Sequence, residues 1–366
     1  MIITKVDVIP FVIPLLRPTK WAAGYMDKVD WLVLRIEAED GTYGVTEAIP
    51  RPMIYGETQA SIYFAIKQFL APLLIGEDSF ALERIWKKMG SLASNPGAKN
   101  AIVIALHDLN GKLLGLPVHR MLGGPVRDEV DLVWMVGQKP EQEMIDELLT
   151  KVAEGFFAFK IKGGTDPVGD VRLLKQFREL VPDHVRLYID ANMQYDKEVA
   201  YKVLKQLEGV LDCIEEPMQA GDDAGRLALA RSVSVPLLGD ESVFTVADVR
   251  RQLDLGALKR IGLKMPRSGF SLSRKIVHLA EANNVKLQIL TQSETTLGTA
   301  ACLQLAAAFE QISLPNEMLF YLDVADSLCT RGLEVNKGRM KVLKTPGVGM
   351  DVDWNKVEQY RTRIVD

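Results

Sequence analysis

The fold is decided by residues 157–242, which contain the runs FAFKIKGG (157–164), VRLYIDAN (185–192), DCIEEP (212–217) and VPLLGDES (235–242). Each run is a short apolar segment that reaches a charged residue, and a stretch of helical length separates it from the next run. Apolar runs of this kind are typical of strands buried on both faces of a parallel sheet. The repeat therefore predicts β-strands that alternate with α-helices.

The same repeat extends on both sides of these four runs. Further runs of this type are DLVWMVG (131–137), KRIGLKMP (259–266), VKLQILTQSE (285–294) and NEMLFYLDV (316–324). The charged residues that close the second to the eighth run lie 23 to 30 residues apart: Lys162, Asp190, Glu215, Asp240, Lys264, Glu294 and Glu317. Eight such units wind into an α/β barrel. An open doubly wound sheet is the alternative, but its usual glycine-rich first turn does not occur in this sequence.

The first 125 residues have a different sequence pattern from the barrel repeat. Two β-rich runs, at 2–13 and 29–48, precede helical runs, and Asp40-Gly41 in the second run is a hairpin signal. We therefore predict an α+β domain over residues 1–125 and a barrel domain over 126–329. The tail, residues 330–366, is predicted to pack back on the first domain.

Composition excludes several classes of protein. Of the 366 residues, 44 are Lys or Arg and 48 are Asp or Glu, which leaves a net charge of −4, too acidic for a nucleic-acid-binding chain. The sequence shows no signal-peptide pattern and no apolar run long enough to span a membrane. The three cysteines are widely spaced and form no C-x-x-C pair, so we expect a reduced, cytoplasmic protein with no membrane partner.

Three carboxylates close successive predicted strands at nearly equal spacing: Asp190, Glu215 and Asp240. Because the carboxyl ends of parallel barrel strands meet at one rim, these side chains are expected side by side. Like charges repel there, and a hard divalent cation relieves the repulsion. All the donors are oxygen atoms, so the pattern favours Mg²⁺ over zinc, with Mn²⁺ as a further candidate. The structural alternative is a set of salt bridges or helix caps at the rim.

Lysines flank these carboxylates. Lys160 and Lys162 are two residues apart on the second predicted strand, so both point to the same face, taken as the barrel interior. Lys264 closes the sixth strand, which lies across the barrel mouth from the second. A neighbouring ammonium and a divalent ion lower the pKa of a lysine towards neutrality, as a general base requires. The lysines are interpreted either as acid/base groups or as structural ion-pair partners of the carboxylates.

Histidine and serine chemistry have no candidates in this sequence. No histidine closes a predicted strand, and a packed or solvated role is expected for all four: His107, His119, His184 and His278. No G-x-S-x-G nucleophile motif occurs.

Five motifs, in this order, resemble the muconate-lactonising subgroup of the enolase superfamily. They are K-x-K at 160–162, D-A-N at 190–192, I-E-E-P at 214–217, D-E-S at 240–242 and L-K-M-P-R at 263–267. Residues 105–124 also resemble the helix and turn that enter the barrel in this subgroup. The resemblance implies an N-terminal capping domain, a modified (β/α)7β TIM barrel and a homo-oligomer of two to eight subunits.

The resemblance also implies a chemistry and a metal site. In the family, Mg²⁺ holds an enolate that forms when the proton next to a carboxylate is removed. By position, Asp190, Glu215 and Asp240 are its ligands, and the adjacent Glu216 is the poorer candidate. The substrate is then a small-molecule carboxylate.

The resemblance further assigns acid/base and substrate-binding residues. Lys162 is the acid/base on one face of the substrate, Lys264 is the acid/base or counter-cation on the other, and Lys160 assists. The capping-domain loops KWAAGYM (20–26) and PRPMIYGE (50–57) are expected to set specificity. The substrate-binding candidates are Tyr55, Arg51, Glu317, Arg267 and Glu294. Tyr55 resembles a tyrosine that muconate cycloisomerases place over the substrate, and a packed aromatic is the alternative.

Several positions separate the branches of the family. LQILTQSE (287–294) has no histidine of the kind the mandelate racemase branch requires near the seventh strand. Dipeptide epimerases carry D-x-D on the last strand, whereas Glu317-Met318-Leu319 resembles the cycloisomerase pattern. Cycloisomerases continue with F-G-P where this chain has F-Y-L at 320–322, and Met193 replaces their usual glutamine. K-M-P-R at 264–267 also resembles o-succinylbenzoate synthases.

The leading hypothesis is an isomerase, a Mg²⁺-dependent cycloisomerase that interconverts a dicarboxylate lactone and its ring-opened diacid. The second hypothesis is a racemase or epimerase of N-acyl amino acids or dipeptides, and an o-succinylbenzoate synthase-like dehydratase is a further alternative. A Schiff-base lyase would not require three carboxylates, and a non-catalytic barrel would not require the lysines.

Overall fold

The N-terminal region forms a three-stranded antiparallel sheet. The computed structural model describes residues 1–21 and 24–364. The sheet consists, in the order β1-β2-β3, of strands β1 (Ile3–Trp21), β2 (Gly24–Ala38) and β3 (Tyr43–Ala48). Gly41, with a φ of 84°, lies in the turn between β2 and β3, as the Asp-Gly signal predicts. Ala22 and Ala23 of the loop 20–26 lie outside the described residues.

Helices cover one face of this sheet. They are α1 (Pro52–Tyr55), α2 (Gln59–Phe64), a π-helix (Ala65–Leu70), α3 (Ala71–Leu74), α4 (Leu82–Met89), α5 (Pro96–Leu114) and α6 (Val118–Met121). Gly115, with a φ of 67°, ends α5 in the left-handed conformation that glycine adopts readily. A Cβ atom at Gly44 of β3 would lie 2.0 Å from the carbonyl oxygen of Ala105 in α5, so this glycine permits the close helix–sheet contact.

A seven-stranded parallel sheet with helices on its outside follows. After the short strand β4 (Glu129–Asp131), its strands are β5 (Trp134–Val136), β6 (Ala158–Lys162), β7 (Arg186–Asp190), β8 (Cys213–Glu215), β9 (Leu237–Gly239), β10 (Arg260–Leu263) and β11 (Lys286–Ile289). Sheet order follows chain order from β5 to β11. The helices are α7 (Glu141–Ala153), α8 (Pro167–Leu180), α9 (Lys197–Gln206), α10 (Asp223–Ser232), α11 (Val246–Leu255), α12 (Met265–Ala282) and α13 (Thr296–Ala308). The predicted barrel of alternating strands and helices is confirmed.

The eighth barrel position is shorter than its sequence run suggests. We expected a strand over 316–324, but Asn316 forms a single parallel bridge to Leu132, Val324 bridges to Leu15 of β1 instead, and a 3-10 helix spans Phe320–Asp323. The Val133 N–H donates to the Asn316 carbonyl at 2.9 Å, and the Glu317 N–H donates to the Ile289 carbonyl at 2.8 Å. These bonds join the two edges of the sheet, so two residues are enough to occupy the eighth position.

The C-terminal tail contacts both preceding regions. Strands β12 (Val335–Asn336) and β13 (Arg339–Lys341) form a small sheet with β4, and helix α14 (Trp354–Tyr360) follows. The rings of Trp354 and Tyr43 meet edge to face at 5.8 Å. The Thr362 N–H donates to the carbonyl of Pro10 in β1 at 2.9 Å.

Three apolar clusters form the interior of the described part of the chain. One lies between the N-terminal sheet and its helices, and a second fills the space between the barrel strands and their helices. The third is small and consists of residues on or beside the barrel strands: Val133, Ala158, Tyr188, Cys213, Leu238 and Leu290. All three cysteines are buried and free. Within residues 1–21 and 24–364, no helix combines the length and the apolar character that a bilayer crossing requires.

Candidate active site

The carboxyl ends of β6, β7 and β8 place three charged residues in one row. In the parallel register, Lys162 is paired with Asp190, and Asp190 is paired with Glu215. Neighbouring strands lie about 4.8 Å apart, so these side chains are lateral neighbours. Asp240 follows directly after β9, the next strand of the sheet. The structure therefore brings the three carboxylates to one rim, as their spacing suggests.

Lys160 lies at the centre of a buried charge network. Its ammonium nitrogen is 2.8 Å from Glu215 Oε1 and 3.0 Å from both Asp190 Oδ2 and Glu317 Oε1. Burial disfavours the charged lysine, but the three carboxylates outweigh this effect and raise the pKa of Lys160 well above its ordinary value. The three carboxylates therefore favour the charged form of Lys160.

Lys162 and Lys264 lie on opposite sides of the barrel mouth. β6 and β10 are the second and sixth of eight barrel positions, and each lysine ends its strand or follows it directly. Lys162 Nζ is 2.6 Å from Asp190 Oδ2, and Lys264 Nζ is 2.5 Å from Asp240 Oδ2. Each is thus bonded to one carboxylate of the cluster, in contrast to the three around Lys160. Both line the same cavity.

Asp240 is positioned by residues behind it. The Arg267 guanidinium donates to Asp240 Oδ1 at 3.1 Å, and the Asp240 N–H donates to Glu216 Oε2 at 2.8 Å. Glu216 also accepts from the backbone and hydroxyl of Ser242 and pairs with Arg226 at 2.8 Å. Arg267 does not line the cavity, so it is placed to orient Asp240 and not to contact substrate.

The three carboxylates fit a hard divalent cation. Burial and the neighbouring Asp190 charge raise the pKa of Glu215 well above its ordinary value, and Glu215 Oε2 is buried with no hydrogen-bond partner among the described residues. A cation would satisfy this oxygen and relieve the repulsion. In residues 1–21 and 24–364, no three His, Cys, Asp or Glu side chains are gathered at metal-binding distance. Each carboxylate is bonded to a lysine instead.

A cavity of about 410 Å³ opens above this cluster. Its floor carries the charged residues of the barrel, and its upper wall comes in part from the N-terminal domain. Apolar side chains from both domains also line the cavity, and most of them are flexible or aromatic. They are Met26, Met53, Ile54, Met135, Met193, Phe244 and Phe320. The cavity therefore combines a charged end with an apolar middle.

Arg51 and Tyr55 of the N-terminal domain take different positions. Arg51 lines the cavity, and its guanidinium donates to the Gln292 carbonyl at 2.8 Å and to the Ser293 hydroxyl. The ring of Tyr55 packs edge to face on Phe244 with the centroids 6.0 Å apart, and Tyr55 does not line the cavity. The Tyr55 hydroxyl is buried with no hydrogen-bond partner among the described residues, and both interpretations of this residue stay predictions.

The two glutamates at the ends of strands seven and eight also differ. Glu317 lines the cavity and accepts from the Tyr188 hydroxyl at 2.6 Å as well as from Lys160. Glu294 does not line the cavity. It accepts from the Thr291 hydroxyl and the Gln292 N–H, both at 2.8 Å, so it stabilises the loop after β11.

Sequence reasoning missed Glu241, which lines the cavity beside Asp240. Burial, together with the Asp240 charge, raises the pKa of Glu241 to about 8, and its Oε2 has no hydrogen-bond partner among the described residues. It lies in the D-E-S motif, so the signal was a second acid directly after a predicted ligand. The positioning function of Glu216 was also missed, although I-E-E-P offered the same signal.

The histidines lie away from this cavity. His107 is buried in α5, where its Nδ1 is 2.7 Å from the Val103 carbonyl, and His119 is 2.7 Å from Gln304. His278 is exposed on α12. Their packed or solvated positions agree with the sequence-based expectation.

Two family models cover most of the chain. The N-terminal domain of mandelate racemase / muconate lactonizing enzyme matches residues 3–123, and the enolase C-terminal domain-like model matches residues 143–356. The chain belongs to the mandelate racemase / muconate lactonizing enzyme family. The resemblance found in the sequence motifs is thereby confirmed. Enzymes of this family are generally metal-dependent.

Similar proteins include isomerases of more than one type. Muconate cycloisomerase 1 of Rhodococcus opacus is 30% identical over 356 residues, which is 95% of both chains. The structure of a muconate lactonizing enzyme from Mycobacterium smegmatis complexed with muconolactone has a TM-score of 0.95 and 34% identity, covering 99% of this chain and 100% of that one. A dipeptide epimerase from Enterococcus faecalis V583, complexed with Mg and the dipeptide L-Leu-L-Tyr, has a TM-score of 0.91 and 27% identity, with 96% and 99% covered. The family members similar to this chain are isomerases, and their reactions include cycloisomerisation, epimerisation and racemisation.

Proposed function

We propose that this protein is a Mg²⁺-dependent cycloisomerase of the muconate type, which removes or adds a proton at the carbon next to a carboxylate. The observation that carries the proposal is the pair of lysines, Lys162 and Lys264, on opposite sides of a cavity that Asp190 and Asp240 line, with Glu215 buried beside Asp190. A carbon held between them has a proton donor or acceptor on each face.

The residues that would hold the metal are Asp190, Glu215 and Asp240. The chemistry that Mg²⁺ supplies when bound is Lewis-acid polarisation of a substrate carboxylate. Mg²⁺ is favoured over zinc because every donor is a carboxylate oxygen. The epimerase structure that contains Mg supports the same choice.

The three lysines of the cavity have different roles in this proposal. Lys162 or Lys264 transfers the proton at the α-carbon, and Lys160 provides a fixed positive charge beside Asp190, Glu215 and Glu317. Negative charge that develops on the substrate meets positive charge already in place. In the lactone-opening direction, one lysine takes the α-proton as the ring C–O bond breaks, and the ring oxygen leaves as a carboxylate. Lactonisation is the reverse.

The relatives and the eighth barrel position favour cycloisomerisation. The 34% identical lactonizing enzyme has muconolactone bound in its structure. Glu317-Met318-Leu319 lacks the second acid of a D-x-D motif. Glu317 is itself bonded to Lys160 and Tyr188, so a substrate ammonium finds no unpaired carboxylate there.

Racemisation is the second candidate, and the opposed lysines favour it as well. If one lysine removes the α-proton and the other returns it on the opposite face, the carbon inverts. Substrates of this reaction would be N-acyl amino acids or related acids.

The oligomeric state stays a prediction. We expect a homo-oligomer of two to eight subunits, and light scattering of the purified protein tests this.

A substrate screen in D₂O tests the proposal. The purified protein, loaded with Mg²⁺, is incubated with cis,cis-muconate, substituted muconates, N-acyl amino acids and dipeptides, and the products are read by NMR. Formation of a lactone from a muconate is the expected result. Deuterium entry at an amino-acid α-carbon, with inversion, would show that the protein is a racemase and not a cycloisomerase. No exchange in any acid, with Mg²⁺ bound, would overturn the proton-transfer proposal.

A further inference from the structure

A row of hydrogen bonds crosses the barrel interior beneath the carboxylate cluster. Tyr188 lies two residues before Asp190 on β7, so both side chains point to the same face of the strand. The Tyr188 hydroxyl donates to Glu317 Oε1 at 2.6 Å and accepts from the Gln288 side-chain amide at 2.9 Å. Gln288 belongs to β11, the seventh barrel position, which lies across the barrel from β7, the third. The row therefore connects two opposite walls.

Tyr188 and Gln288 do not line the cavity, whereas Glu317 and Lys160 do. The side chains of Tyr188 and Gln288 are buried, with 3% and 2% exposed. The Tyr188 ring belongs to the third apolar cluster, and its packing there fixes the direction of the hydroxyl. Tyr188 and Gln288 can therefore affect a reaction in the cavity only through Glu317.

Glu317 contacts Lys160 with both carboxylate oxygens. The Lys160 ammonium nitrogen is 3.0 Å from Glu317 Oε1 and 3.2 Å from Glu317 Oε2. Lys160 is also bonded to Asp190 and Glu215, which are two of the three proposed metal ligands. Of these three carboxylates around Lys160, Glu317 alone is not a proposed ligand of Mg²⁺.

Mg²⁺ binding would change the charge balance of Lys160. A divalent cation held by Asp190 and Glu215 neutralises the charge that these groups present to the ammonium, and it repels the ammonium as well. A buried cation that loses its partners is strongly destabilised. Glu317 would keep a full negative charge against Lys160, provided that its carboxylate stays in place. The bond from Tyr188 holds one of its two oxygens.

We propose that Tyr188, itself oriented by Gln288, is a positioning residue that holds Glu317 as the counter-ion of Lys160, so that this lysine stays compensated when Mg²⁺ binds. The inference rests on the proposed function, in which the three carboxylates of the cluster hold the metal. Tyr188 then contributes to Mg²⁺ affinity although it touches neither the metal ligands' cavity nor a substrate.

Calorimetric titration with Mg²⁺ tests this inference without turnover. Tyr188→Phe keeps the ring and removes the hydroxyl, so we expect Mg²⁺ affinity to fall about 3- to 10-fold, as for one lost hydrogen bond. Tyr360→Phe is the matched control, because its hydroxyl donates to the Asp326 carboxylate at 3.1 Å and neither residue lines the cavity. The control should bind Mg²⁺ as wild type does. Unchanged affinity in Tyr188→Phe would overturn the inference.

A double-mutant cycle shows whether the effect passes through Lys160. Lys160→Met removes the cation that Glu317 compensates and the repulsion of Mg²⁺, so this variant should bind Mg²⁺ at least as tightly as wild type. In that background, Tyr188→Phe should change the affinity less than about twofold. Urea unfolding checks that each variant is folded. An equal fall in both backgrounds would show that Tyr188 supports the site independently of Lys160, which overturns the inference.

The D₂O screen uses the wild-type protein alone and is independent of these variants. If α-protons exchange but Tyr188→Phe binds Mg²⁺ as wild type does, the proposed function stands and only this inference falls. If Tyr188→Phe weakens Mg²⁺ binding as expected but no acid exchanges, the inference stands and the proton-transfer proposal falls. Absence of Mg²⁺ binding by the wild-type protein would overturn both.

Discussion

The barrel wall and the N-terminal-domain wall of the cavity are built on opposite plans. On the barrel side, the three lysines that line the cavity are each bonded to a carboxylate; Lys160 lies within β6, whereas Lys162 ends it and Lys264 directly follows β10. On the domain side, the described residues that line the cavity are apolar apart from Arg51, which comes from a loop and is hydrogen-bonded to neutral groups. The barrel wall pairs its lysines with its own carboxylates, whereas Arg51 of the domain wall is hydrogen-bonded to neutral groups.

We infer from this difference that the barrel wall carries out the reaction and that the domain wall selects the substrate. Strand ends are fixed by the sheet, so in the proposed function the barrel would hold the metal and the two proton-transfer lysines in constant geometry. Loops tolerate sequence change, so the domain wall can vary with the substrate. Changes on the barrel side should therefore affect the rate, and changes on the domain side should affect which acid binds.

Loss of a lysine from the barrel wall should have the largest effect. We expect Lys162→Ala to lower kcat about 10²- to 10⁴-fold, because a proton donor or acceptor is removed from one face of the substrate. Mg²⁺ affinity should change far less. Lys175→Ala, on the exposed face of α8, is the control. Steady-state kinetics and calorimetry measure the two quantities, and full activity in Lys162→Ala would remove this lysine from the proton transfer.

Loss of the support behind Asp240 should have a smaller effect. Glu216→Gln removes the charge that accepts from the Asp240 and Ser242 N–H groups, and we expect Mg²⁺ affinity to fall about 10- to 100-fold. Calorimetric titration with Mg²⁺ measures this change. Glu143→Gln, an exposed residue of α7, should bind Mg²⁺ as wild type does. If Glu216→Gln matches that control, the network behind Asp240 does not position it.

The contact between the N-terminal domain and the barrel should make stability depend on pH. Glu47 accepts from the Thr295 N–H at 2.8 Å, and burial raises its pKa to about 8 from 4.5. The folded state thus holds a proton that the unfolded state loses above pH 4.5. Stability from this group is complete below pH 4.5 and falls as pH rises to about 8, by up to about 1.4 kcal/mol per pH unit.

Glu47→Gln removes this titration and should flatten the decline. Urea unfolding at several pH values from 5 to 9 measures the slope for both proteins. The amide can still accept from the Thr295 N–H, so the contact itself is preserved. Identical slopes in the variant and the wild type would show that Glu47 is ionised in the folded protein.

The smallest effect is expected at the rim of the domain wall. Met53 lines the cavity but is 89% exposed. Met53→Ala should change KM by less than about threefold and leave kcat within about twofold, since a largely exposed side chain contributes little burial. Steady-state kinetics on the substrate found by the screen checks this. A large fall in kcat would contradict the separation of the two walls.

The sequence by itself determined the barrel and the charged rim. Asp190, Glu215 and Asp240 recur with the period of one strand and one helix, and in a parallel sheet residues with that period meet at one edge whatever the loops do. The placement of Lys162 opposite Lys264 follows from counting strands. These statements depend on periodicity alone, which is a local property of the chain.

The tertiary structure alone decided which charged residues face the cavity. Arg267 lies behind Asp240, Glu294 stabilises a loop, Tyr55 packs on Phe244, and Glu241 enters the cavity. Rotamers and the packing of distant segments set these orientations, and no spacing in the sequence encodes them. The bond from Arg51 to Gln292 joins residues 241 positions apart. Such a contact exists only after the N-terminal domain has packed on the barrel.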